Sequence, residues 1–314
     1  MTVLVTGANG FVGRWVVRAL LAAGHTVLGG SGPDGSAVTL DEAERRQVEW
    51  MPLDLLDAES VRRVAARTVD AVVHLAGCAS GAQALRDPGL AWEVNAAGTA
   101  RLVAELGRRR ALGECDPLVL LASTAEVYAP LARPLTESDP AGPRSPYAAS
   151  KLGAEIAAGE TARRTGLRVV ISRAFPHTGP GQDDRFVAPA FARRLRAAKR
   201  AGAPAVKVGN LEVVRDFLDV RDVAAAYVAL LGGGAAGETY NVASGEGVAL
   251  RDLFDRIAAR VGVRAIPEAD AGLLRAADLL YLVGDASKLR AATGWQPRIP
   301  LDDTLRDLVD AQAD

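Results

Sequence analysis

Tyr147 and Lys151 stand four residues apart in the run Tyr147-Ala148-Ala149-Ser150-Lys151. In a helix that spacing puts both side chains on one face. A nearby ammonium favours the phenolate and lowers the tyrosine pKa, which suits Tyr147 to general acid–base work near neutral pH. Ser123-Thr124-Ala125-Glu126-Val127-Tyr128 follows a strand-like run, from which its side chains can face the same crevice. There the Thr124 hydroxyl would hold a substrate oxygen beside Tyr147. Glu126 fits a proton relay or a bond to substrate hydroxyls, and equally a solvated acid in a turn. An exposed helix with an ordinary Tyr and Lys is the plain reading of the spacing alone. The Thr124 segment argues against it.

A second constellation is glycine-rich. Thr6-Gly7-Ala8-Asn9-Gly10-Phe11-Val12-Gly13 follows a β-branched run and opens a helical pattern. Gly7 permits a tight turn, Gly10 lets the backbone approach a pyrophosphate, and Gly13 allows close helix–strand packing. A helix N-terminus there offers free N–H groups and a positive dipole to phosphates. A turn kept only for packing is the alternative. In NAD-binding folds the second strand ends in an acid. Here it reads Gly29-Gly30-Ser31-Gly32-Pro33-Asp34, with Asp34 a few residues late. Without that acid a 2′-phosphate meets less repulsion, which leans towards NADP(H) over NAD(H).

Regular elements must hold these groups. Strand-like runs at Thr2–Thr6, Thr26–Gly29, Val48–Leu53, Ala71–Leu75, Leu118–Ala122 and Leu167–Ser172 alternate with helical patterns. The latter include Gly10–Ala23, Leu90–Arg110 and Pro146–Arg164. Near-continuous apolar strands between helices predict an α/β fold with a parallel sheet covered on both faces. After Ser172 the rhythm breaks into Pro and Gly at Phe175–Gly181. Helical patterns follow at Phe186–Arg200, Val220–Leu231, Leu250–Val261 and Leu301–Ala311, a smaller mixed lobe. Ligands of such sheets bind beyond the strand C-termini, so the site is expected between the halves.

Composition narrows the class. The 314 residues are 49% hydrophobic and 24% charged, as in ordinary globular chains. Thirty-seven basic against 38 acidic residues give no electrostatic reason for nucleic acid. Two cysteines and three histidines make neither a disulfide scaffold nor an evident metal site. No apolar run reaches membrane-spanning length and no secretory signal is evident, so a cytoplasmic protein without metal or membrane partner is expected. Cys78 and Cys115 read as small buried apolar residues. Arg108-Arg109-Arg110 and Arg193-Arg194 read as solvated helix faces, and Gly232–Gly234 as a linker. The 32 glycines are an excess whose tasks composition alone does not assign.

Together these residues resemble the extended short-chain dehydrogenase/reductase family of nucleotide-sugar enzymes, nearly end to end. Further markers are Asp54-Leu55, His74-Leu75-Ala76-Gly77, and Asn95 with Gly98-Thr99. The resemblance implies a Rossmann doubly wound parallel sheet (residues 1–172) and a smaller C-terminal α/β substrate-binding lobe (173–314), with about 212–243 folding back onto the first. It implies dinucleotide contacts at Gly7, Asn9, Gly10, Phe11, Val12, Gly13, Ser31, Asp54, Leu55, Leu75, Ala76, Gly77, Asn95, Ala122, Tyr147, Lys151 and Phe175. Locally, Asp54 also reads as a helix N-cap, Asn95 as a helix residue facing water, and His74 as a packed, satisfied histidine rather than a base.

The C-terminal half is similar to the GDP-4-dehydro-6-deoxy-mannose reductase branch. The carriers are Arg173–Gln182, Val208–Leu211, Arg215–Val223, Gly237–Val242, Asp270–Gly284 and Gly294–Pro297. Substrate contacts are implied at Ser80, Thr124, His177, Gln182, Val187, Arg215 and Arg275. The two arginines would clamp a pyrophosphate bidentately, or Arg215 would pair on the surface with Asp219. Departures are Pro176 for an asparagine that contacts substrate, Ala174 and Ala276 for prolines, and Ala129 for glycine. Ala125 replaces the acid that glucose-type 4,6-dehydratases carry, which argues against their elimination step.

The implied reaction is NAD(P)H-dependent reduction of a 4-keto nucleotide sugar, GDP-linked by preference. Tyr147 gives the proton, Thr124 orients the carbonyl, and Lys151 keeps Tyr147 acidic and bonds the ribose. The alternatives are a 4,6-dehydratase or C-4 epimerase with tightly held cofactor, and a non-catalytic dinucleotide sensor. A homodimer is expected through Leu90–Arg110 and Pro146–Arg164. Ala148, Ala149, Gly153, Ala154, Ala157 and Ala158 would let helices approach closely.

Overall fold

The computed structural model describes residues 1–32, 40–273 and 279–312. Asp34, Arg275, Ala276 and Asp278 lie outside the described residues. Seven strands form one sheet: β1 (Thr2–Thr6), β2 (Thr26–Ser31), β3 (Val48–Pro52), β4 (Ala71–His74), β5 (Leu118–Thr124), β6 (Arg168–Ala174) and β7 (Thr239–Val242). Their spatial order is β7-β6-β5-β4-β1-β2-β3, and every pairing is parallel. The order reverses between β1 and β4, which places the ligand crevice at their C-terminal ends. Val3, Val5, Val73 and Leu120 face one apolar layer, and Leu4, Val72, Val119 and Leu121 the other. Burial on both faces is why these strands read as unbroken apolar runs.

Helix α1 (Phe11–Ala22) leaves the first strand, α2 (Pro146–Thr165) precedes β6, and α3 (Val220–Gly233) packs on α1. Ser145 caps α2, accepting from Ala148 N at 3.1 Å, with Pro146 at its first position. Gly166, at φ +75°, closes it.

Several elements differ from the sequence expectation. β5 and β6 run on to Thr124 and Ala174, because Ser123 pairs with Arg173 and Thr124 with Ala174 in register. Thr124 therefore lies in the strand, not after it. The pattern at Leu90–Arg110 is three joined pieces: Pro88–Trp92, a wide π-type turn at Glu93–Gly98, and Thr99–Ala111. Gly232 and Gly233 belong to the last turn of α3, and a Cβ on Gly234 would lie 2.7 Å from Leu230 O, so this stretch is a helix end and not a linker, although Gly232 faces open space. Arg108 and Arg193 are solvent-exposed as expected, Arg109 and Arg110 are half-buried, and all four are ion-paired: Arg108 with Glu105 at 2.7 Å, Arg109 with Glu114 at 3.0 Å, Arg110 with Asp116 at 2.6 Å and Arg193 with Asp184 at 2.7 Å. Acids at the nearby helix and loop ends supply the partners. Arg194 donates to Lys207 O at 3.1 Å.

The second lobe has its own core. Phe191, Leu195, Leu253, Phe254, Ile257, Leu305 and Leu308 interdigitate there, with Phe191 and Phe254 edge-to-face at 5.3 Å. Val214–Asp216 pairs antiparallel with Gly247–Ala249 and parallel with Tyr281–Leu282, and Ala205–Val208 pairs with Ile266–Ala269. Among the described residues, no helix is long and apolar enough to cross a membrane.

Candidate active site

The glycine turn is built as its spacing demands. Gly7 sits at φ +70°, and a Cβ there would lie 2.9 Å from Ala76 N. A Cβ on Gly13 would overlap the Gly7 carbonyl oxygen and stand 2.8 Å from Ala8 Cα. Helix α1 therefore starts against its own turn. Gly10 precedes α1 without a side-chain cap, so the first N–H groups stay available to an anion. This cradle fits a dinucleotide pyrophosphate.

A cavity of about 820 Å³ opens from the turn. Gly7, Asn9, Gly10, Phe11, Val12 and Gly13 line it, with Asp54, Leu55, Leu75, Ala76 and Gly77 along one side. Ser80, Thr124, Glu126, Tyr147, Phe175, His177, Gln182 and Val187 line it too, as does Pro176. Its size suits ligands larger than a single sugar.

Asp54 is not a helix cap; Asp57 holds that place. Instead Asp54 accepts from Leu56 N at 2.9 Å, and Ser60 Oγ bonds its N–H at 3.0 Å. Ser31, Ala122, Asn95 and Lys151 do not line the cavity; Lys151 lies one helical turn behind Tyr147. The Ser31 carbonyl accepts from Leu53 N at 2.6 Å, and Ala122 is buried in the core. Asn95 is buried rather than facing water. Its Oδ1 accepts from Cys78 N at 2.8 Å, and its Nδ2 donates to Cys78 O at 3.1 Å and Ser150 Oγ at 2.9 Å. Ser150 Oγ donates to Tyr147 O at 2.8 Å. Asn95 thus ties the loop after β4 to the helix of Tyr147 and Lys151. The π-type turn carries it there.

His74 is a packed residue. Its Nδ1 lies 2.7 Å from Thr6 Oγ1 and its Nε2 3.0 Å from Thr99 Oγ1. Burial, then Lys151, pulls its pKa down to about 3, so the ring is neutral.

Tyr147 is half-buried on the wall, and Thr124 and Glu126 act on it. Its pKa moves opposite to the sequence expectation. Burial pushes it up, Glu126 adds to the rise, and a hydrogen bond with Thr124 works against it. Desolvation of the phenolate is the leading cause, and the expected lowering is not seen. Lys151 is itself pulled down to about 8 by burial, opposed by Glu155 and Cys78. Thr124 Oγ1 accepts from Glu126 N at 3.2 Å, which fixes the Glu126 turn at the strand end.

The loop after β6 closes the far wall. His177 stacks on Phe11 with centroids 6.4 Å apart, and its Nδ1 lies 3.0 Å from Phe175 O. Gln182 accepts from Thr178 Oγ1 at 2.6 Å and donates to His177 O at 3.0 Å.

Arg215 stands outside the lining. It donates to Val214 O at 2.9 Å and Leu279 O at 2.5 Å. Asp219 pairs with Arg221 at 2.7 Å instead. Neither cysteine is fully buried, because both sit at element ends: Cys78 lines the cavity and Cys115 follows helix Thr99–Ala111.

Among the wall residues that escaped sequence reasoning are Cys78 and Arg14. Arg14 is 4% exposed and has no ion-pair partner among the described residues. It donates to Pro180 O and lies 5.3 Å over the Phe11 ring. Burial, then Arg18, pulls it down to about 10, still a cation at neutral pH. Its place just after Gly13 was the available signal, because helical side chains lean back towards the N-terminus. Among the described residues, no group of three His, Cys, Asp or Glu could hold a metal ion.

The GDP-6-deoxy-D-mannose reductase of Pseudomonas aeruginosa is 35% identical, over 97% of this chain and 95% of its own. The structure of RMD from Pseudomonas aeruginosa complexed with NADPH superposes with a TM-score of 0.82 at 34% identity, covering 99% and 98% of the two chains. The Thermus thermophilus UDP-glucose 4-epimerase complex with NAD superposes at 0.85 with 30% identity, over the whole of both chains. The family model described as GDP-mannose 4,6 dehydratase matches residues 4–308. The glycine cradle, the parallel sheet and these end-to-end likenesses agree: the chain belongs to the GDP-mannose 4,6 dehydratase family, within the extended short-chain dehydrogenases/reductases.

Proposed function

We propose that this protein reduces a 4-keto-6-deoxy nucleotide sugar, of the GDP-4-dehydro-6-deoxy-mannose type, to the 4-hydroxy sugar. The observation that carries the reading is a neutral Tyr147 on the crevice wall beside Thr124, facing the same cavity as the glycine cradle. The nicotinamide cofactor, when bound, supplies the hydride that adds to C4. Tyr147 gives its phenolic proton to the C4 oxygen, so one hydride and one proton complete the alcohol. Thr124 orients that oxygen, and Lys151 holds the ribose and the charge left on Tyr147. Gly7, Gly10 and Gly13 hold the pyrophosphate, and Arg14 puts a buried cation on the same wall. NADPH is favoured, because Gly29-Gly30-Ser31 ends β2 without an acid. Ser80, His177, Gln182 and Val187 are assigned to the sugar nucleotide, GDP-linked as for the Pseudomonas reductase.

A second reading, dehydratase or epimerase, is favoured by Glu126 beside Thr124 on the wall. A panel of 4-keto nucleotide sugars separates the two, with NADPH and NADH oxidation followed in parallel. Net NADPH oxidation with the GDP-4-keto sugar supports reduction; turnover without it favours the second reading.

The protein is assigned as a homodimer. Trp92 and Ile156 are 45% and 64% exposed on the two helical segments concerned. The small residues contribute less than expected. Ala148, Ala154 and Ala158 are buried, and a Cβ on Gly153 would lie 2.7 Å from the chain's own Trp92 ring.

A further inference from the structure

Glu155 is a buried carboxylate one helical turn beyond Lys151, 6% exposed. Three donors hold it: Ser123 Oγ, Arg173 Nε at 3.1 Å and Arg173 Nη2 at 2.7 Å. Ser123 and Arg173 are register partners on β5 and β6. Ser123 precedes Thr124, and Arg173 lies two residues before Phe175 of the cavity wall. One carboxylate therefore joins the helix of Tyr147 and Lys151 to the strand end that carries Thr124. Arg173 is fixed from its other side, 4.6 Å over the Tyr128 ring, whose hydroxyl donates to Asn241 at 2.7 Å.

We propose that Glu155 is a positioning residue of the reaction, which keeps Lys151 an ammonium and locks the Thr124 strand end against the catalytic helix. This rests on the reductive reading above. Burial alone discharges a lysine, and Glu155 is the leading group that opposes it at Lys151. The other groups near Lys151 do less. Cys78, from the loop after β4, also supports the charge, and His74 of β4 is neutral. Glu126, from the turn after β5, acts on Tyr147. Asn95 is uncharged, Arg86 and Glu93 are exposed, and Arg101, Glu105 and Arg108 of helix Thr99–Ala111 bond Leu55 O or one another. Arg173 compensates burial of the Glu155 carboxylate.

The test uses the full chain labelled at lysine 13Cε. Only Lys151, Lys199, Lys207 and Lys288 give signals, and Lys151→Arg assigns the first. In the wild type Lys151 is expected to titrate at about 8. In Glu155→Gln the midpoint is expected to fall by about one pH unit. At pH 7.5 that lowers the ammonium fraction about threefold, and kcat/KM with it. Glu155→Gln strands a buried guanidinium, so Glu155→Gln with Arg173→Met removes the pair together. A fall in the same direction is expected there, smaller because the cation is removed with the carboxylate. An unchanged Lys151 midpoint in either folded variant, with activity lowered at every pH alike, would overturn the proposal. If no sugar is reduced by the wild type, the reductive reading fails, while the Lys151 titration still reports on Glu155.

Discussion

In the proposed reduction Tyr147 enters as the neutral phenol. Spacing from Lys151 points to a lowered pKa, yet burial and Glu126 raise it. For a reductase the raised value is serviceable, because the proton to be donated is in place at neutral pH. Tyr147→Phe removes that proton and leaves the glycine cradle untouched. Its kcat is expected to fall by about 10²- to 10⁴-fold, with NADPH affinity by fluorescence titration unchanged. Near-normal turnover with an authentic substrate would remove Tyr147 from this role. Under the same proposal the alkaline limb of activity is assigned to Lys151. A lysine drawn down to about 8 is ammonium below that pH and neutral above it. Activity that depends on the ammonium therefore declines as pH rises through about 8. The residue types were legible in the sequence, because Tyr, Lys and Thr declare their chemistry by type and local spacing. The direction of the tyrosine shift was not, because desolvation depends on packing from β5, the loop after β4 and α3. Arg14 and Asn95 were obscured for a related reason. One meets Pro180 and the other Ser150, partners 166 and 55 residues away.

Elements set these distances. The turn before α1 tolerates no Cβ at Gly13, since the atoms it would meet are backbone of Gly7 and Ala8 and cannot swing away. Gly13→Ala is expected to lower stability by about 1–3 kcal/mol and to abolish saturable NADPH binding. Chemical denaturation and fluorescence titration read the two effects. Unchanged binding would remove Gly13 from the cradle. The strands and most helices were legible, because burial on both sheet faces leaves long apolar runs and single-sided helices leave stripes. The π-type turn at Glu93–Gly98 was not, since a helical apolar period does not register one wide turn. The ends of β5 and β6 were missed because Ser123, Thr124 and Arg173 look like loop residues. Ser123 pairs with Arg173 and Thr124 with Ala174, and Ser123 and Arg173 both meet Glu155, partners that no local window contains.

At the scale of the molecule, the crevice lies where the parallel sheet reverses order, with residues of the loop 175–182 in its wall. Trp92 and Ile156 are exposed and do not line that crevice, and they lie on the segments proposed for the dimer. Ile156→Arg would bury a charge in such a contact, so it is expected to halve the mass measured by light scattering at micromolar concentration, with the fold retained. A monomeric wild type would overturn the assignment. The glycine excess also resolves at this scale. Gly7, Gly10, Gly13 and Gly77 shape the crevice, while Gly153 and Gly234 serve packing inside the chain.

Net reduction is the central claim, and stoichiometry tests it most directly. The protein, freed of copurified nucleotide, is mixed with GDP-4-dehydro-6-deoxy-mannose and NADPH. NADPH oxidation and sugar product are then quantified in the same sample. The account predicts one NADPH oxidised for each 4-hydroxy sugar formed, with no product when NADPH is withheld. Conversion of a nucleotide sugar with no net NADPH oxidation would contradict it.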